Sequence, residues 1–247
     1  MQLKIRAVMF DLGYTLWNVS YSGEPLAYRE VRRQLVAELG EPVPDPQALR
    51  NAVAAVLVRE TNAWLEHGKL EQMATEDIFR EGFESLGLDV SAALLGRMQD
   101  IALAPSIIYT VEPDTRDALR ALKERGLKLA AVSNTYQSSA SLKRSLEAHG
   151  LLPYLDALIV SSEVGLAKPH PAIFQEALRR LDVRPEETVF VGDIVWADVL
   201  GPQSLGMKAV LTRQYRREEP NEHKPDLIIE RLPEIVDYVD RLNGDEA

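Results

Sequence analysis

Residues 7–16 read AVMFDLGYTL, a short apolar run that ends in a carboxylate and a turn. The run at residues 7–10 is short and bounded, which is typical of a strand buried on both faces of a sheet. Asp11 follows it directly, and a carboxylate at the carboxyl end of a parallel strand can face a ligand pocket. An aspartate that caps a turn, with Gly13 at a positive φ, fits the same residues equally well. The stretch favours a parallel α/β sheet and leaves the role of Asp11 open.

Five further apolar runs repeat this pattern later in the chain. They lie at residues 127–132, 157–160, 188–191, 209–211 and 227–229. Helical patterns precede or separate the first of them, at residues 113–125, 138–149 and 171–181. Strands that alternate with helices predict an α/β fold, in which helices cover both faces of a parallel sheet.

The stretch from Asn18 to Ser106 breaks this alternation, because we find no convincing strand in it. Its apolar residues recur at helical spacing in four segments. These segments lie at residues 28–39, 53–58, 78–83 and 92–103. The simplest arrangement is an all-helical cap, residues 18–106, inserted into an α/β core that comprises residues 1–17 and 107–247.

Composition excludes several classes of function. The 247 residues include no cysteine, which rules out disulfides, zinc–thiolate sites and thiol catalysis. The formal net charge of -10 argues against a nucleic-acid or anionic-membrane surface. The sequence has no apolar run of about 18 residues that could span a membrane. It also lacks the pattern of a secretory signal. We therefore expect a cytoplasmic protein, and no pattern specifies an oligomeric state.

Polar residues follow two more of the predicted strands, at the edge where open parallel sheets bind ligands. Ser133 and Asn134 follow the second strand, where they suit either a phosphoryl group or a helix N-cap. Lys168 lies before a predicted helix, and Pro169 and Pro171 restrict the backbone around it. Most lysines are solvated surface charges. A lysine flanked by prolines, between a predicted strand and a predicted helix, is less often one.

Asp193 and Asp198 form the last of these signals. They lie five residues apart, across the end of a predicted strand and the helix after it. Two carboxylates in this arrangement can converge on one hard cation through their oxygen atoms. Two surface aspartates are the alternative, but the residues between them are mostly apolar. Gly192 would give the backbone room to approach the cation.

Together, in this order, the four segments resemble the haloacid dehalogenase-like superfamily, whose motifs read DxDx[TV], [ST]N, K[PA] and GDxxxD or GDxxxxD. The resemblance covers the whole chain. It implies a Rossmann-like core with an alpha-helical cap inserted after the first motif. Residues 164–177, with Lys168, Pro169 and Phe174, look especially like the phosphatase-like branch.

The resemblance also implies catalytic roles. Asp11 is then the nucleophile that becomes an aspartyl-phosphate. Ser133 and Asn134 hold the transferring phosphoryl oxygens, and Lys168 stabilises the nucleophile and the developing charge. The resemblance implies a small phosphorylated metabolite as the substrate. Catalysis of phosphoryl transfer consists mainly of positioning and charge stabilisation, which agrees with these roles.

A metal site follows from the same resemblance. Asp11, the backbone carbonyl of Gly13, and Asp193 are the implied ligands of Mg²⁺. Asp198 acts directly or through water. Mg²⁺ prefers about six oxygen ligands and keeps several waters, so two or three carboxylates suffice.

Gly13 departs from the family pattern, because it stands where the family has a second aspartate. In the family that residue is the general acid for the leaving alcohol and later the base that activates water. Positioned acid–base catalysis contributes about 10²–10⁴-fold to rate. The carbonyl of Gly13 still suits Mg²⁺, so the loss affects proton transfer rather than metal binding.

Three hypotheses remain at this stage. The preferred one is a slower Mg²⁺-dependent phosphatase, since some phosphatase-like members similarly carry glycine at this position. The second is a 2-haloacid dehalogenase, which needs no acid and which Trp196 matches. Those members are metal-independent, however, and typically have serine where Asp193 stands. The third is a weakly active relative that binds a phosphorylated ligand or a protein partner, against which the intact Asp11 and Lys168 argue.

Overall fold

A six-stranded parallel sheet forms the centre of the structure. The computed structural model describes residues 4–21, 26–103, 105, 107–220 and 222–244. Its strands are β1 Ala7–Phe10, β2 Asn18–Tyr21, β3 Ile107–Thr110, β4 Lys128–Ser133, β5 Ala157–Val160, β6 Thr188–Gly192, β7 Lys208–Thr212 and β8 Leu227–Ile229. The central sheet has the order β5-β4-β1-β6-β7-β8. The six predicted core strands are confirmed, each to within one residue at either end.

Helices cover both faces of this sheet. Those of the core are α5 Pro113–Glu124, α6 Ser139–Ala148, α7 Ser161–Val164, α8 Pro171–Leu181, α9 Gly201–Ser204 and α10 Glu234–Asn243. Side chains of β1 alternate between the faces, as the twofold period of a strand requires. Val8 and Phe10 pack with apolar residues of α5, α6 and α10, whereas Ala7 and Met9 pack with those of α8. The predicted α/β core is confirmed.

Four helices form a second apolar cluster, between β2 and β3 in the chain. They are α1 Leu26–Leu39, α2 Pro46–His67, α3 Thr75–Glu84 and α4 Ala92–Leu95. Asp45 caps α2 by accepting hydrogen bonds from two backbone amides of its first turn. A Cβ atom at Gly82 of α3 would lie 3.0 Å from the Cα of Val53, so glycine allows α2 and α3 to pack closely. No helix in the described parts of the chain is long and apolar enough to cross a membrane.

The fourth predicted cap helix, residues 92–103, is not continuous. The structure divides it into α4 and a π-helical segment, Gln99–Leu103. Gly96 follows α4 directly, and glycine is the poorest helix former after proline. The apolar pattern therefore indicates the helical character of this stretch but not its interruption.

A short antiparallel ribbon joins the cap to the core. The expectation of no strand between Asn18 and Ser106 was wrong, because β2 pairs with β3 from Asn18 opposite Thr110 to Tyr21 opposite Ile107. Most of β2 is exposed, so its sequence carries little of the apolar alternation that marks a strand. We retain residues 1–17 and 107–247 as the proposed core and 18–106 as the proposed cap. The limits of that division at residues 1, 106 and 247 lie outside the described residues.

Candidate active site

The predicted site residues converge at one edge of the sheet. Strands β4, β1 and β6 are neighbours, and their carboxyl ends carry Ser133, Asp11 and Asp193. A cleft at this edge is lined by all seven of the residues singled out from the sequence. They are Asp11, Gly13, Ser133, Asn134, Lys168, Asp193 and Asp198. The topology of a parallel sheet therefore brings together residues that are almost 190 positions apart in the chain.

A buried ion triplet lies at the floor of the cleft. Nζ of Lys168 donates hydrogen bonds of 2.7 Å to Oδ1 of Asp11 and of 2.7 Å to Oδ1 of Asp198. The Lys168 side chain is only 2% exposed, so its charge is stable there only because both carboxylates balance it. The ammonium thereby fixes one oxygen atom of Asp11 and leaves the other for chemistry.

Asn134 and Trp64 hold the backbone of Lys168 in place. Oδ1 of Asn134 accepts a 2.7 Å hydrogen bond from the Lys168 amide, and its Nδ2 donates one of 3.1 Å to the Lys168 carbonyl. Nε1 of Trp64, from α2, donates to the same carbonyl at 2.7 Å. Asn134 therefore positions the lysine, while one N–H of its amide stays available for the predicted contact with a phosphoryl oxygen.

Asp198 folds back against the end of β6. Its Oδ2 accepts hydrogen bonds from the backbone amides of Asp193 at 3.1 Å and Ile194 at 3.0 Å. A Cβ atom at Gly192 would lie 2.3 Å from Cγ of Asp198, closer than any real contact. Glycine at position 192 is thus required for Asp198 to reach Lys168.

The three carboxylates fit a divalent cation. Asp11, Asp193 and Asp198 each present an oxygen atom within 4.8 Å of the others, and all three residues are buried. Oδ2 of Asp193 is buried and accepts no hydrogen bond within the described structure. Carboxylate oxygens are the ligands that Mg²⁺ and Ca²⁺ prefer. The donor set, and a buried carboxylate oxygen whose close contact is an ion pair rather than a hydrogen bond, therefore suit a hard metal ion.

The pKa values reflect this crowding of negative charge. Burial and the neighbouring carboxylates of Asp11 and Asp198 raise the pKa of Asp193 to about 8. Burial raises the pKa of Asp11 to about 6, although Lys168 opposes the shift. Burial alone would lower the pKa of Lys168, but Asp11 and Asp198 raise it above its ordinary value. Lys168 is thus firmly cationic. Arg216 and Lys168 lower the pKa of Asp193, but burial and the two neighbouring carboxylates outweigh them.

Arg216 and Tyr14 complete this side of the cleft, and of the two only Tyr14 adjoins a sequence motif. Nη1 of Arg216 forms a 3.0 Å ion pair with Oδ2 of Asp193. The guanidinium carbon lies 4.2 Å from the centre of the Tyr14 ring. Arg216 follows β7, the strand beside β6, so the rule that ligands bind at strand ends could have pointed to it. Four arginines between residues 213 and 231 obscure that signal.

Gly13 does not need to be glycine for steric reasons. A Cβ atom there would meet Cγ2 of Val19 at 3.5 Å, an ordinary contact, and its φ is not positive. Tyr14 instead has the positive φ, at 56°, which most side chains avoid. The missing second aspartate is therefore not explained by lack of space.

The cap closes over the cleft and bonds to the segment that carries Lys168. Backbone hydrogen bonds join Gln72 N to Gly165 O at 3.0 Å and Ala167 N to Leu70 O at 2.8 Å. The cleft between cap and core has a volume of about 710 Å³, within the range of small-molecule sites. It is large enough for a small phosphorylated metabolite with its phosphoryl group at Asp11.

The family assignment rests on comparison of the whole sequence with known proteins. Residues 5–206 match the family model described as haloacid dehalogenase-like hydrolase. The chain belongs to this family. The resemblance seen in the four motifs is therefore confirmed, and so is the Rossmann-like core with its helical cap.

Full-length relatives place this haloacid dehalogenase-like hydrolase in the phosphatase-like branch. A glyceraldehyde 3-phosphate phosphatase of Methanopyrus kandleri is 31% identical over 98% of this chain and 100% of its own. The crystal structure of a phosphatase of the same family from Thermococcus onnurineus has a TM-score of 0.60 and 28% identity, over 95% of this chain and 98% of its own.

A dehalogenase shares the fold. The 2-haloacid dehalogenase from Pseudomonas syringae pv. Tomato has a TM-score of 0.67 and 24% identity, over 96% of this chain and 99% of its own. At this identity the likeness describes the architecture alone. The chemistry of this hydrolase has to be argued from its own side chains.

Asp193 gives a prediction for stability without metal. A carboxyl whose pKa is raised from 3.8 to about 8 on folding contributes stability below pH 3.8, and this is lost as the pH rises through about 8. Asp193→Asn removes that titration. In EDTA at pH 8 we expect this variant to unfold at a temperature a few degrees above that of wild type. For a protein of this size, 1 kcal/mol in the free energy of unfolding shifts the unfolding temperature by about 2–4 °C. Thermal unfolding followed by circular dichroism measures the difference.

Asp182→Asn is the matched control, because Asp182 is exposed and its left-handed φ of 51° also suits asparagine. Its unfolding temperature should equal that of wild type at every pH. Mg²⁺ should stabilise wild type and Asp182→Asn but not Asp193→Asn. An Asp193→Asn variant that is less stable than wild type in EDTA at pH 8 contradicts our account of the site.

Proposed function

We propose that the protein is a Mg²⁺-dependent phosphatase that hydrolyses a small phosphorylated metabolite through an aspartyl-phosphate at Asp11. The observation that carries the proposal is the buried Lys168 bonded to Asp11, beside two further carboxylates that suit a cation. This arrangement both orients a nucleophile and counters its charge. We expect it to act in the cytoplasm.

The proposed reaction has two displacements at phosphorus. The carboxylate oxygen of Asp11 that Lys168 does not hold attacks, the bond to the leaving oxygen breaks, and an aspartyl-phosphate forms. Water then attacks this intermediate and releases inorganic phosphate and the Asp11 carboxylate. Ser133 and Asn134 donate hydrogen bonds to the phosphoryl oxygens. Asp11, Asp193 and the Gly13 carbonyl would hold Mg²⁺, with Asp198 acting directly or through water. The ion would supply positive charge that offsets the repulsion between carboxylate and phosphate.

Departure of the leaving group is the step for which the usual acid of the family is missing. Without a carboxyl group at position 13, no aspartic acid is placed to protonate the departing oxygen. The conjugate bases of acidic alcohols, phenols and carboxylic acids can leave phosphorus without being protonated. The alkoxide of an ordinary alcohol needs a proton in order to leave. The name of the Methanopyrus relative makes glyceraldehyde 3-phosphate the first alkyl phosphate to test.

The dehalogenase alternative receives less support from the site. A dehalogenase of this family needs no metal, yet three buried carboxylates lie together here, and Lys168 bonds to two of them. Release of halide from 2-chloropropionate in EDTA would favour it over the phosphatase. Phosphate binding without turnover would favour the third hypothesis, a relative that only binds its ligand.

Asp11→Asn tests the nucleophile. An amide is a poor nucleophile and cannot become an aspartyl-phosphate, so turnover of p-nitrophenyl phosphate should disappear. Beryllofluoride with Mg²⁺, an analogue of the phosphorylated aspartate, should raise the unfolding temperature of wild type and of Asp182→Asn but not of this variant. Activity within tenfold of wild type would remove Asp11 from its role.

Gly13→Asp tests the missing acid, and the structure has room for the Cβ atom of the new side chain. It should accelerate glyceraldehyde 3-phosphate hydrolysis by up to about 10²–10⁴-fold and p-nitrophenyl phosphate hydrolysis much less. Gly13→Asp/Tyr14→Gly is a second variant to test, because it also relieves the positive φ of Tyr14.

Gly13→Asn is the control, since it has the same size but no acidic proton. Steady-state rates on both substrates give the comparison. Equal hydrolysis of alkyl and aryl phosphates by wild type would show that another group supplies the proton, and the argument from Gly13 would fail.

A further inference from the structure

Arg216 occupies an unusual position for a surface-loop arginine. Its side chain is 38% exposed, but one nitrogen atom reaches to 3.0 Å from the buried Oδ2 of Asp193. Its guanidinium also lies over the ring of Tyr14, the residue after Gly13. Arg216 therefore bridges the proposed metal site and the side of the cleft on which the general acid is missing.

The loop that carries Arg216 is held by contacts of its neighbours. Arg213 pairs with Glu219 at 2.8 Å, and Glu218 accepts a hydrogen bond from the amide of Val195 at 3.1 Å. The hydroxyl of Tyr215 accepts a 3.2 Å hydrogen bond from the amide of Glu112. The loop backbone is thus anchored on several sides, and Arg216 is the residue of this loop that lines the cleft.

Two cations cannot share Asp193 without cost. A metal ion bound by this carboxylate would lie close to the guanidinium, and like charges a few ångströms apart repel strongly in a buried site. Arg216 can move because it is partly exposed. Its guanidinium already lies on the Tyr14 ring, and this cation–π contact does not depend on the carboxylate. A phosphate dianion in the cleft would attract the released charge.

We propose that Arg216 yields its place beside Asp193 to Mg²⁺ and then, supported by the Tyr14 ring, binds an oxygen atom of the phosphate ester. Arg216 is in this view both a stand-in cation in the metal-free protein and a substrate-binding residue in the loaded one. The phosphate half rests on the proposed function, whereas the metal half does not. A guanidinium on the side of Gly13 would also stabilise negative charge on a leaving oxygen that receives no proton.

Isothermal titration of Arg216→Gln tests both halves without any turnover. Removal of the competing cation should lower the Kd for Mg²⁺ by at least about fivefold, because the metal no longer displaces a charge. Removal of the charged donor should raise the Kd for inorganic phosphate, measured at saturating Mg²⁺, by about tenfold. If Arg216 had only a structural role, its replacement would weaken the binding of both ligands. Tighter Mg²⁺ binding together with weaker phosphate binding is therefore the diagnostic result.

Arg217→Gln is the matched control, because Arg217 is the next residue, is exposed and pairs with Glu230 at 3.0 Å. It loses the same charge and should bind both ligands as wild type does. Unchanged or weaker Mg²⁺ binding in Arg216→Gln relative to Arg217→Gln would overturn the proposal. Tighter Mg²⁺ binding with unchanged phosphate affinity would overturn it too, since Arg216 would then only compete with the metal for Asp193. An absence of phosphatase activity would reject the proposed function and the phosphate half with it, and the Mg²⁺ titration would still decide the metal half.

Discussion

The ammonium of Lys168, buried between Asp11 and Asp198, is the interaction on which the arrangement of the site depends. A buried charge is tolerated only with partners of opposite sign, so the position of each carboxylate is tied to that of the lysine. Several otherwise unrelated features serve this contact. Asn134 fixes the lysine backbone, and the absence of a side chain at Gly192 lets Asp198 approach.

The sheet supplies the precision that this contact needs. Parallel strands end at a common edge, and the rigid backbone ladder β4-β1-β6 sets the spacing of the residues that follow them. The excess of negative charge at that edge has a different consequence. It leaves one carboxylate, that of Asp193, in need of a positive partner, and Arg216 lies 3.0 Å from it. Stability and ligand binding are therefore linked through the same few charges.

Much of this could be predicted from the sequence, because buried strands and the polar residues after them are local patterns. The ends of β1, β5 and β8, and the position of the seven predicted residues after the strands, follow from such patterns. Contacts that depend on the tertiary fold could not be predicted. The hydrogen bonds of Asn134 to Lys168, the pairing of β2 with β3 and the reach of Arg216 all join segments whose sequences carry no signal of one another.

Two backbone hydrogen bonds between the proposed cap and residues 165–167 attach the cap to the segment that ends at Lys168. Together with Trp64, they attach α2 and its following loop to the segment that presents Lys168. A cap that swings aside must break bonds on that segment, so opening the entrance and loosening the lysine are one event. In the proposed reaction, the alignment of Lys168 with Asp11 is then a property of the closed molecule as a whole. A cap exchanged for that of a relative would change this alignment as well as the shape of the pocket.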